Sequence, residues 1–201
     1  LAKSDNTQKG VVPPPIPHSD FRTPEYTVFP DIQQKKWEAT RGMSHSFGFN
    51  RNDGPGDYEP ADALLHGFID AVSKNGNLLL NVGPRGVDGS IPDEQLQRLN
   101  VFGVWLAENG HAIYGARPWR TAEAKTACGL EVRFTVSDGK LNVILLGTPS
   151  TDQVTLKNIV IGPDEGRLPD GVPVSVETCG GDSVLRAHRM FPTASAHTLT
   201  F

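Results

Sequence analysis

The chain has 201 residues, 37% hydrophobic and 21% charged, an ordinary globular mixture sufficient for one large or two small domains. Its net charge of −4 and scattered basic residues argue against a nucleic-acid surface, and no apolar run approaches the ~20 residues that span a bilayer. Generous Gly (21) and Pro (16) imply many turns and loops.

Read from the start, LAKSDNTQKG is polar and has no secretory h-region or initiator Met, which fits a mature product, a trimmed chain or a piece of a larger protein. The run Val11 to Pro17 contains four prolines and reads as extended loop. Residues 36–41 form a short strand candidate, followed by a Gly/Asn/Ser/Asp-rich loop to Gly56. From Pro60 to Lys74 the apolar residues Leu64, Leu65, Phe68, Ile69 and Val72 recur at helical spacing, with Asn75-Gly76 as the stop and Gly76 as the left-handed C-cap. Residues 77–84 are a continuous apolar run without alternation, the pattern of a parallel strand buried on both faces. A second helix is expected over Pro92–Asn109, with Leu96, Leu99, Phe102 and Leu106 inward. Helix, strand, helix in this order is α/β grammar.

After about Trp119 the grammar changes. Glu131–Val136 alternates, Asp138-Gly139 is a hairpin turn, and Leu141–Leu146 returns. Strands are expected at 153–161, 173–178, 184–188 and 197–201, with no further helix: a small antiparallel sandwich. Cys128 and Cys179 have no metal-ligand spacing and read as free buried thiols, with one disulfide as the alternative.

Seven segments then fall into a recognisable order: Asp20 to Tyr26 (DFRTPEY), Lys36-Trp37-Glu38, Arg41-Gly42, Ser46 to Asn50 (SFGFN), Val72 to Pro84 (VSKNGNLLLNVGP), Asp88 to Pro92 (DGSIP) and Trp105 to Trp119. Over residues 18–120 this resembles the α-L-fucosidases of glycoside hydrolase family 29. The resemblance implies an α/β fold: the C-terminal part of a catalytic (β/α)-barrel over residues 1–119, then an antiparallel β-sandwich over 120–201. It implies a retaining hydrolase that removes terminal α-L-fucose, needs no cofactor or metal, and acts on fucosylated oligosaccharides. Neither nucleic acid nor membrane is implied as a partner; a homo-oligomer is left open.

Retention of configuration needs two carboxyl groups about 5–5.5 Å apart. The resemblance makes Glu25 the general acid/base, between Phe21 and Tyr26, whose rings would strip water and raise its pKa. Phe47 resembles the aromatic that packs on the fucose methyl, a contact worth about 1–3 kcal/mol against a hydroxylated sugar. His18, Arg22 and Tyr26 are further substrate-binding candidates, and Trp37, Glu38, Asn50 and Asn81 structural neighbours of the site, with Glu38 expected to pair with Arg41 or Arg51. The family's nucleophile, an aspartate on an earlier barrel strand, is expected upstream or on another chain, because Asp20, Asp53 and Asp57 lie outside its motif. The N-terminal half of the barrel is therefore an expected partner, and the alternative is a non-catalytic carbohydrate-binding or scaffolding piece.

Overall fold

The structure is a computed structural model that describes residues 20–162 and 165–201. It divides into two compact units, one ending at Phe102 and the other running from Gly103 to Phe201.

The first unit is built on parallel strands. β1 (Trp37–Gly42) pairs in register with β2 (Gly76–Asn81), from Trp37 opposite Gly76 to Gly42 opposite Asn81. A third extended segment flanks β1 on its other edge. Arg22 bridges to Trp37 and Glu25 to Thr40, both parallel, with Glu38 N–H donating to Arg22 O (2.9 Å) and Thr40 N–H to Pro24 O (3.0 Å). Helix α1 (Ala61–Ser73) joins β1 to β2 and buries Leu64, Leu65 and Ile69. Under it, Trp37 stacks edge-on with Phe29 at 4.8 Å, and its indole N–H donates to Lys74 O at 3.0 Å. Ala39, Ala71 and Leu78 complete this cluster.

Asn75 takes the left-handed conformation after α1 (φ 71°), whereas Gly76 is the first residue of β2. Gly76 is needed there for packing: a Cβ would sit 2.5 Å from the Trp37 ring. The apolar run of β2 is not buried on both faces. Leu78 packs toward α1, but Leu79 on the other face is 45% exposed. Helix α2 (Asp93–Asn109) also turns differently from expectation. Gln95 is buried and Leu96 is 40% exposed, because the Gln95 amide both accepts from Gly83 N–H (2.8 Å) and donates to Gly83 O.

The second unit holds one eight-stranded antiparallel sheet in the order β3-β4-β5-β10-β7-β8-β9-β6. Its strands are β3 (Arg117–Lys125), β4 (Glu131–Ser137), β5 (Lys140–Leu145), β6 (Gln153–Leu156), β7 (Gly166–Arg167), β8 (Pro173–Cys179), β9 (Asp182–Ala187) and β10 (His197–Thr200). The two edge strands meet through a bridge between Thr126 and Leu156, so the layers of the sandwich are parts of one curled sheet around a single core. Val132, Phe134, Val143, Leu145, Leu156, Val174, Leu185 and Leu199 fill it. Asp138 and Gly139 both have positive φ (49° and 75°), as a two-residue type I′ hairpin requires. Cys128 and Cys179 are free and exposed rather than buried.

Candidate active site

In a barrel built from parallel strands, chemistry gathers where the strands end. Here Tyr26, Gly42 and Asn81 close the three parallel segments at one end of the sheet. Side chains alternate along a strand, so register decides which face each occupies. Arg22, Trp37, Ala39 and Leu78 lie on the α1 face. Glu25, opposite Thr40, therefore falls on the other face, together with Glu38, Leu79 and Asn81.

The Glu25 side chain is exposed, and its carboxylate has no hydrogen-bond or ion-pair partner among the described residues. The flanking rings do not cover it. Phe21 is 49% exposed, and Tyr26 turns away, its ring 5.1 Å from that of Phe47 in an edge-on contact. The Tyr26 turn is tight: φ is 52°, its N–H donates to Thr40 O (2.9 Å), and its hydroxyl accepts from Gly42 N–H (3.1 Å).

The loop after β1 folds back over the strand ends. The Asn81 amide donates to Phe47 O and to Val82 O (3.0 Å). Gly83 approaches Phe49 so closely that a Cβ would lie 2.5 Å from Phe49 N, and at Gly42 one would lie 2.1 Å from Ser46 O. Asn50 braces the same loop, donating to Asp53 Oδ1 (2.7 Å) and accepting from Asn52 N–H (3.1 Å). Phe47 is thereby half-buried and held from two sides, whereas Phe49 is 40% exposed with the Arg85 guanidinium 6.0 Å from its ring.

The remaining candidates separate. Arg22 lies over Phe29 (4.1 Å to the ring centre) and donates to Gln33 Oε1, on the α1 face and away from Glu25. Trp37 is in the core. Glu38 pairs with neither Arg41 nor Arg51; Arg41 instead meets Glu59 at 3.3 Å. Asp20 and His45 are exposed, and His18 lies outside the described residues. A small cavity of about 50 Å³ lies on the α1 side, between Tyr26, Thr40, Arg41, Leu64, Phe68 and Leu78. That is room for a water or two, not a sugar. Among the described residues no group of three or more His, Cys, Asp or Glu could hold a metal, and no helix is long and apolar enough to cross a membrane.

The Glu59 anchor, Gln95 and the Phe49–Arg85 contact were missed by sequence reasoning. Only Phe49 carried a signal, as the second aromatic of SFGFN.

The family model described as Alpha-L-fucosidase matches residues 2–111, more than half of the chain. The chain belongs to the α-L-fucosidase family. Among its relatives, an alpha-L-fucosidase of Branchiostoma floridae is 36% identical over 141 residues, 69% of this chain and 31% of that protein. The plasma alpha-L-fucosidase of Homo sapiens is 31% identical over 136 residues, 66% of this chain and 29% of that protein. The crystal structure of the Thermotoga maritima alpha-fucosidase superposes with a TM-score of 0.81 at 38% identity, over 92% of this chain and 43% of that one. The same enzyme in complex with fucose matches at 0.81 and 36%. Fucosidase architecture thus accounts for both units, the C-terminal part of a (β/α)-barrel and an antiparallel β-sandwich. The chain spans less than a third of the length of the curated fucosidases it matches.

Proposed function

We propose that this chain supplies the acid/base half of a retaining α-L-fucosidase site, acting on terminal α-L-fucose of glycans. The observation that carries the reading is the register of the three parallel segments. It sets Glu25 on the sheet face opposite α1, near the strand ends where barrel enzymes do chemistry. In the retaining reaction Glu25 first protonates the leaving oxygen while a carboxylate attacks the anomeric carbon. It then takes a proton from the water that releases fucose. The nucleophile, an aspartate, lies upstream or on another chain. That segment also covers the face now bearing exposed Leu79.

Phe47 offers the apolar surface for the fucose methyl, held in place by Tyr26 and Asn81. Tyr26 shapes the same rim, while Trp37, Glu38, Asn50 and Asn81 support it. Arg22, held on the α1 face by Phe29 and Gln33, acts on substrate only through rearrangement in the completed barrel. No cofactor enters. A second reading, a carbohydrate-binding piece without catalysis, is favoured by one observation: Glu25 is exposed and has no side-chain partner among the described residues.

The test is hydrolysis of an aryl α-L-fucoside by the chain completed with an upstream barrel segment, against the 201-residue chain alone. The completed protein is expected to turn over and the chain alone to show none. On an alkyl α-L-fucoside, whose leaving group needs a proton, Glu25→Gln is expected to lower kcat/KM by about 10²–10⁴-fold, and undiminished turnover of that substrate removes the assignment.

A further inference from the structure

The second unit carries a pocket that the fucosidase chemistry does not use. It has a volume of about 390 Å³, within the ~300–1,000 Å³ of small-molecule sites, and opens beside the β4–β5 hairpin, β7 and the end of β10. Its walls are built rather than incidental. Phe201 is fixed by reciprocal backbone bonds with Leu141 (2.8 and 2.9 Å), and its ring lies against Gly166, where a Cβ would come within 2.2 Å of a ring carbon. On the floor, Thr200 donates to Asn142 Oδ1 (2.9 Å), so His111 Nε2 is the donor in its 2.9 Å contact with Thr200 Oγ1. Asn142 in turn donates to Ser137 Oγ (2.9 Å), which leaves the Ser137 proton free to point outward.

Around this rim stand two cations, Lys140 and Arg167, and two carboxylates, Asp138 and Glu165. Neither Lys140 nor either carboxylate has a side-chain partner among the described residues; Arg167 spends one N–H on Gly171 O (3.2 Å). An anion would face the two carboxylates and a cation the two basic groups. A neutral ligand with many hydroxyls meets both kinds, since each hydroxyl donates and accepts. The Phe201 ring adds an apolar wall of the sort that a sugar's C–H face covers.

We propose that this pocket is a saccharide-binding site in the sandwich unit, separate from Glu25, for a neutral mono- or disaccharide. Such a site would hold a glycan whether or not the chain is catalytic.

The experiment is an amide-resolved NMR titration of the 201-residue chain with the methyl glycosides of L-fucose and D-galactose, and separately with inorganic phosphate. The expected result is saturable shifts at Ser137, Lys140, Arg167 and Thr200 with one or both glycosides, at a Kd of about 1–10 mM, as befits few contacts. They should weaken about tenfold or more in Asp138→Asn/Arg167→Ala and in Lys140→Met, and persist in Glu25→Gln. Absence of shifts at these positions, binding undiminished from the parent in both rim variants, or stronger binding of phosphate than of either glycoside would overturn the proposal. None of these outcomes bears on Glu25, so the two readings fail independently.

Discussion

Glu25 draws its meaning from alternation: one residue earlier or later on its segment and the carboxylate would face α1. The groups around it are held by single contacts that can be tested one at a time. Asn81 bonds the Phe47 carbonyl across the strand end, so Asn81→Ala should lower stability by about 1 kcal/mol and loosen the loop. Gly83→Ala drives a methyl into the Phe49 backbone and should cost about 1–3 kcal/mol, readable as a lower urea midpoint. If both variants melt like the parent, the two loops do not support each other as described. At this scale the sequence was informative only where a motif carried the residue. Glu25, Phe47 and Asn81 belong to named motifs, whereas the Arg41–Glu59 pair spans eighteen positions with no local signature. The Glu38 expectation failed for that reason: neighbours along a strand alternate faces, and Arg41 lies on the opposite face from Glu38.

Among the elements, α1, α2, β1, β2 and the β4–β5 hairpin were all legible: the helices and the hairpin repeat a period, and β2 shows as an unbroken apolar run. Strand β3 was not. Pro118 stands near its start, its register shifts between Pro118 and Glu123, and its burial does not alternate. Two-residue β7 is too short to leave any pattern. The apolar run of β2 reads as doubly buried, yet one of its faces is open in this chain. That difference yields a prediction. Leu65, fully buried, should cost about 2–5 kcal/mol as Leu65→Ala, while Leu79→Ala should cost well under that in the 201-residue chain. Denaturant melts of the two variants decide it; equal losses would mean that something already covers Leu79.

Over the whole molecule, the curled sheet gives the chain a core whose stability carries a pH signature. His197 is buried, and this burial pushes its pKa below the usual histidine value. The nearby Arg189 charge adds to the depression, and a hydrogen bond with the Pro192 backbone opposes it. The folded state thus prefers neutral imidazole, while the unfolded chain takes up a proton near pH 6.5. Its contribution is fully present above that pH and declines as pH falls below it toward the lowered folded value. His197→Gln should flatten this part of the stability-versus-pH curve between about pH 7 and 5. An unchanged slope would place the acid sensitivity elsewhere.

If Glu25 donates the proton to the leaving group, the effect of losing it depends on how much help that group needs. In the completed enzyme, Glu25→Gln should hardly slow an aryl α-L-fucoside whose phenol leaves without help. It should slow a poor leaving group, such as an alkyl fucoside, by about 10²-fold or more. Equal losses on both substrates, or none on either, would rule out Glu25 as the proton donor.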